Sequence, residues 1–324
     1  MKKRLAVLLA VATLFLFAGC SFSFYQRQAE SKDIYKDYLA METDASDSYT
    51  ERVAERSGAA VVTVIANSVV RTNRGSESTT QIFSGIIINA EGYVLTTSHA
   101  AVLEVTSGGS LYTGRVLTAY AVLPEIYGDK SRYKLTLVDY NTDAGLALFR
   151  FYDRFHYYTD TSRGESKDGF QLFAQFSGKN AETGERCIGI GNSLGNALNE
   201  GVSVPERVNE IEQTVMSGVI SDADADSEAL APVSFGGKEY NYILTTVPVN
   251  IDMYGGALFD ENGYLIGLLA MKIGYESSSG ETGYFKRVAA ACPVSLLTAY
   301  IDGAASATET PVPYVIAMPA GEAA

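Results

Sequence analysis

Ser84 to Ala100 reads SGIIINAEGYVLTTSHA, two short apolar and β-branched runs on either side of Asn89-Ala90-Glu91-Gly92. Runs of this length around a short loop carrying Asn and Gly have the chemistry of a β-hairpin. The same grammar recurs outward from it, in AAVVTVIA at 59–66, YKLTLVDY at 133–140 and a second hairpin loop at Asp260-Glu261-Asn262-Gly263. Many short strands punctuated by Gly, Asn, Asp and Ser predict an all-β barrel or sandwich over residues 51–302. A short closing helix is expected at Pro293 to Tyr300 (PVSLLTAY), with Pro in its first turn. Residues 303–324, rich in small residues and Pro, read as a disordered tail.

Composition narrows the function classes. The 324 residues are 47% apolar and 19% charged, an ordinary globular balance. With 25 Lys and Arg against 38 Asp and Glu the net charge is −13, the wrong sign for counterion release at phosphates, so nucleic acid is a poor partner. Two histidines (His99, His156) and three cysteines (Cys20, Cys187, Cys292) are too few and scattered for a Cys/His zinc centre. No metal and no other cofactor is expected.

The first twenty residues, MKKRLAVLLAVATLFLFAGC, place Lys2, Lys3 and Arg4 before an apolar run and small residues. That is the layout of a signal peptide, and the run is shorter than the roughly 20 residues a helix needs to span a bilayer. Its end, Leu16-Phe17-Ala18-Gly19-Cys20, resembles the bacterial lipobox, which implies acylation of Cys20 and an extracytoplasmic, lipid-anchored protein. Removal of residues 1–19 takes away three positive charges and leaves 22 basic against 38 acidic residues, so membrane contact would run through lipid. Residues 21–50, polar and charged with scattered aromatics, read as a tether. Cys187 and Cys292 then remain, and whether they pair is open at this stage.

Five segments, taken together, resemble the HtrA-type (Deg) branch of the trypsin-like serine peptidases. SGIIINAEGYVLTTSHA (84–100) is similar to the hairpin that ends in the catalytic His of that family, and LVDYNTDAGLALFRF (137–151) to the segment carrying its Asp. CIGIGNSLG (187–195) and TVMSGVISD (214–222) resemble the first strands of its second barrel. TTVPVNIDMYGGALFDENGYLIGLLAMKI (245–273) resembles the nucleophile loop and the hairpin after it. The resemblance implies two six-stranded antiparallel barrels with a cleft between them, the first over about 58–165 and the second over about 185–302. The roughly 22 residues after Asp302 are too few for the PDZ domain that often follows in that family. Family members often form trimers through N-terminal segments, which makes an oligomer conceivable here.

Nucleophilic acyl transfer needs a Ser activated by a His, an acid that fixes the His tautomer, and backbone N–H groups aimed at the oxyanion. His99 keeps the His position. The pattern that carries the acid falls without a gap on Ala144 to Phe149, which puts Gly145 at the Asp position; Asp143, two residues earlier on the same strand face, is a possible substitute. The nucleophile loop reads Asp252-Met253-Tyr254-Gly255-Gly256, so Tyr254 stands at the Ser position and Asp252 at the oxyanion Gly. A phenol with a pKa near 10 is a poor nucleophile, and a carboxylate is ill placed beside a developing oxyanion. No Ser lies between Thr245 and Leu258. These positions imply a pseudopeptidase that binds peptides or misfolded envelope proteins, with Tyr284, Phe285 and Lys286 at the family's substrate-binding strand. The alternative is an active serine endopeptidase with a displaced triad.

Overall fold

In the computed structural model the described residues are 49–73, 75–107, 110–124, 127, 132–153, 156–160, 165–193, 212–225, 230–249, 253–276, 282–308 and 310–317. Helix α1 (Tyr49–Ser57) and a 3₁₀ turn (Gly58–Ala60) lead into β1 (Val61–Thr72), β2 (Gly75–Ile87) and β3 (Tyr93–Thr97). After a second 3₁₀ turn at Ser98–Ala100 come β4 (Val102–Ser107), β5 (Ser110–Val122), β6 (Arg132–Asn141) and β7 (Leu146–Phe151). The strands β1-β2-β3-β7-β6-β5 are hydrogen-bonded in that order, and β5 returns to β1, closing a six-stranded antiparallel barrel with β4 as an outer flap on β5.

A connecting stretch holds the hairpin β8 (His156–Asp160) and β9 (Glu165–Asp168), then β10 (Phe176–Ser177). The second barrel uses β11 (Arg186–Ser193), β12 (Glu212–Ala225), a small hairpin β13 (Val233–Phe235) and β14 (Lys238–Tyr240), β15 (Tyr242–Thr245), β16 (Ala257–Asp260), β17 (Leu265–Glu276) and β18 (Thr282–Pro293). Its ring runs β16-β11-β12-β15-β18-β17 and closes through β16–β17. Helix α2 (Val294–Thr308) and β19 (Ile316–Ala317) complete the chain.

The near-continuous apolar runs of the strands are explained by several separate cores, not one. Along β7, Leu146 and Leu148 face a cluster shared by both barrels, whereas Ala147, Phe149 and Phe151 face the inside of the first. The period-2 alternation of a strand thus feeds two dry compartments at once. The shared cluster joins Ile86, Leu95 and Leu148 to Ile190, Phe259 and Leu268 and is lidded by Leu296, Leu297, Tyr300 and Ile301 of α2. Each fully buried Leu or Ile there contributes about 1.5–3 kcal/mol, so the two barrels are held as one unit and the cleft between them has fixed walls.

Two expectations at the C-terminus are corrected. Helix α2 runs to Thr308, well past Tyr300, because Ile301 and Ala304 still bury against the shared core. Residues 310–317 are not a structureless tail but an ordered strap. Val312 is buried, the Tyr314 ring packs against Phe176 at 5.2 Å with the planes tilted by 59°, and Phe176 N–H donates to Val315 O at 2.8 Å. Asn89 of the first hairpin donates its Nδ2–H to Pro313 O at 2.7 Å. Buried Val312 and Ala317 and half-buried Tyr314 supply the apolar contacts that the Pro-rich composition masks. Cys187 and Cys292 are both free and buried, so they do not form a disulfide.

Candidate functional site

His99 is placed by the end of β3. All five residues of that strand are buried, and the chain turns at Thr97, whose side chain caps the 3₁₀ turn. Ser98 N–H is tied to Gly145 O at 2.9 Å and Ala100 is buried, which leaves His99 as the exposed residue of the turn. Its Nδ1 lies 3.0 Å from Thr97 Oγ1, and its ring centroid is 6.5 Å from that of Phe83. A hydroxyl can donate or accept at Nδ1, but in neither role does it bring the negative charge that stabilises an imidazolium. Where Thr97 Oγ1 accepts the His99 backbone N–H and passes its own hydrogen to Nδ1, Nε2 carries the ring proton and cannot serve as a base.

Gly145, which the resemblance puts at the acid position, lies in the turn joining β6 to β7. Ala144 N–H donates to Asn141 Oδ1 at 2.7 Å and Gly145 N–H to Thr142 O at 3.2 Å, so Gly145 adopts φ 69°. That left-handed geometry suits Gly, and a Cβ built there would meet no atom within 4 Å. Asp143 is exposed and, among the described residues, has no hydrogen bond or ion pair. It does share with His99 a cavity of about 190 Å³, lined also by Ser98, Glu104 and Tyr242. Glu104 and Tyr242 were not expected at the site. Glu104 is on the strand directly after His99, two residues from Val102 and on the same face, a signal present in the sequence. Tyr242 comes from β15 of the other barrel, and burial followed by the nearby Cys292 pushes its phenol up to about 12.

Tyr254 is not among the residues lining the His99 cavity; Met253 is fully buried in the second barrel's interior and Tyr254 is half-buried, packed against the interiors of both barrels. The backbone beneath it is firmly held. Ser84 N–H donates to Tyr254 O at 2.9 Å, Gly255 N–H to Leu269 O at 2.8 Å, and Leu269 N–H to Gly256 O at 2.8 Å. Gly255 sits at φ 85°, and a Cβ there would collide with Ser84 O and Thr96 Oγ1. Ser84, a residue sequence reasoning did not single out, is the knot of this backbone: its O accepts from Thr96 Oγ1 at 2.6 Å and its Oγ from Asn192 N–H at 2.8 Å. It is wholly buried, which excludes it as a nucleophile.

Tyr284, Phe285 and Lys286 lie in β18, with Tyr284 opposite Gly274 of β17. Cys20 and Asp252 fall outside the described residues. Burial holds the thiols protonated, Cys187 up to about 11 and Cys292 up to about 12. Neither is a reactive thiolate at neutral pH.

The sequence profile described as Trypsin-like peptidase domain matches residues 83–268. The chain is 25% identical over 200 residues to the serine protease Do-like HtrA of Bacillus subtilis (strain 168), a stretch covering 61% of this chain and 35% of that protein. It therefore spans about a third of the length of this relative. Among solved structures it superposes on the HtrA-type protease AlgWS227A with decapeptide at a TM-score of 0.52 and 21% identity, covering 80% of this chain and 66% of the other. The HtrA-type protease AlgW with decapeptide gives 0.50 at 22% identity, over 81% and 68% of the two chains. At that identity the superpositions speak for the double-barrel fold.

Proposed function

We propose, from the premise that the chain belongs to the trypsin-like peptidase domain family, that it is a member whose cleft binds peptide without cleaving it. The observation that carries this reading is Tyr254 at the nucleophile position, packed against both barrel interiors and followed by the firmly held backbone of Gly255 and Gly256. The phenol is a weak nucleophile at neutral pH, and its ring fills space that a scissile carbonyl would need. His99 is partnered by a neutral hydroxyl, and the acid position is a glycine. Loss of one triad member typically costs on the order of 10⁴–10⁶ in rate, and these losses do not add.

Binding survives where chemistry does not. The N-terminal part of β18, residues 282–288, offers a backbone edge for an extended peptide, with Tyr284, Phe285 and Lys286 alternating along it. In this reading the protein is anchored through lipid on Cys20 at the outer face of a bacterial membrane, and peptides or unfolded envelope proteins are its ligands. Casein cleavage by residues 21–324, beside His99→Ala and the triple reversion Gly145→Asp/Asp252→Gly/Tyr254→Ser, tests it. A silent wild type is expected, and cleavage that disappears with His99→Ala would overturn the proposal. Labelling of the wild type by a fluorophosphonate would point instead to an active serine endopeptidase with a displaced triad.

A further inference from the structure

From the first barrel's outer face we infer a second recognition element, a groove that takes acidic, apolar peptide segments; it rests on the peptide-binding reading above and extends it beyond the cleft. The groove opens where β5 leaves β6 to pair with β4, and it encloses about 700 Å³. Its floor is apolar: Val69, Val102, Val116, Leu137 and Tyr140 line it, the last two 40% and 46% exposed. Two cations stand over that floor. Arg115 is opposite Val69 in the β1–β5 register, and Arg71 follows two residues along β1 on the same face as Val69. The two guanidinium-bearing positions are thus diagonal neighbours, about 7–8 Å apart along the sheet.

In a chain of net charge −13 this is an unusual place. No carboxylate lines the groove, and among the described residues neither Arg71 nor Arg115 makes an ion pair. The nearest acids are Asp139, between Leu137 and Tyr140 on β6 and interacting with Tyr300 of α2, and across the register Glu77, opposite Val70, and Glu104, opposite Thr113. Glu104 belongs to the neighbouring His99 cavity, and Val102 lines both spaces, so the groove adjoins that cavity. An extended peptide passing His99 thus meets exposed apolar surface flanked by two unpaired arginines. The occupant that satisfies both is a segment alternating Asp or Glu with Leu or Tyr: carboxylates on the arginines, side chains on Leu137 and Tyr140.

The test uses the full chain in detergent and two fluorescein-labelled peptides, one alternating Asp/Glu with Leu/Tyr and the other with Lys in place of every acid. The acidic peptide is expected to bind with an affinity that falls as salt is raised. Arg71→Glu/Arg115→Glu, two exposed substitutions, should weaken it about tenfold or more and gain binding to the Lys peptide. Leu137→Ser should weaken the acidic peptide without altering the salt slope. Equal binding by wild type and the charge-reversed variant would overturn the groove. A neutral unfolded peptide separates this from the cleft: its failure to bind, beside Arg-dependent binding of the acidic peptide, sinks the cleft reading and keeps the groove. Tighter binding after deletion of residues 30–47, which carry six carboxylates and two lysines, would overturn a free partner in favour of this chain's own acidic segment.

Discussion

Each wall of the cleft turns on a left-handed glycine, Gly145 beside His99 at φ 69° and Gly255 under Tyr254 at φ 85°. Their surroundings are opposite. Nothing lies within 4 Å of a Cβ on Gly145, whereas Gly255 is pressed onto Ser84 O and Thr96 Oγ1 at the seam between the barrels. The first glycine therefore answers only to its own turn, and the second to the packing of the whole molecule. The turn at Gly145 has room for a side chain, whereas Gly255 is held by its neighbours whatever stands at residue 254.

Breaking the tight wall should have the largest effect. Gly255→Ala combines a disfavoured φ with a backbone collision and is expected to cost about 3 kcal/mol or more, read as a drop in the denaturant midpoint. Tyr254→Ala removes a half-buried ring from two cores and should cost about 2 kcal/mol by the same measurement. The open wall should forgive more. Gly145→Asp incurs only the left-handed backbone, about 1 kcal/mol, and a cost near that of Gly255→Ala would dissolve the contrast between the two walls. Thr97→Val, which removes the cap and the Nδ1 partner of His99, is expected to cost about 0.5–1 kcal/mol and to loosen the imidazole, visible as averaged His99 ring signals in NMR.

A pH-dependent effect concerns the second barrel's thiols. Burial raises Cys187 to about 11 and Cys292 to about 12 from an ordinary value near 9. A raised folded-state pKa means that the folded form holds the proton more tightly. The stability this contributes is fully present below about pH 9 and is lost as pH rises through 11 and 12. Cys187→Ala/Cys292→Ala should therefore flatten the decline of the guanidinium midpoint between pH 9 and 11.

Much of the fold was legible because it is local. The hairpins at Asn89–Gly92 and Asp260–Gly263 became the β2–β3 and β16–β17 pairs, as their turn chemistry implies, whereas LVDYNTDAGLALFRF, the β6–β7 pair, was singled out by resemblance. At the candidate site, His99 and Gly145, singled out from the motifs, do line one cavity. Their partners were not legible. That Thr97 takes over the Nδ1 of His99 depends on a 3₁₀ turn, and the approach of Tyr242 and Ser84 depends on how two barrels meet, which no run of residues encodes by itself. The strap of residues 310–317 escaped for a related reason: its contacts lie hundreds of residues away, and composition reports only the absence of local structure.

That strap also sets an order of events. The amide of Asn89 waits for a carbonyl 224 residues further along the chain, among the most distant contacts in the molecule. The chain emerges N-terminus first, so the first barrel closes through β5–β1 long before Pro313 exists to meet it. Until then Phe176 lacks the Tyr314 ring that packs against it and the β19 strand that pairs with β10. Such long-range pairing is intrinsically slow. The last lock on the double barrel is thus turned from its C-terminus, and a chain cut short before residue 310 would leave an apolar seam open to whatever protein lies nearby.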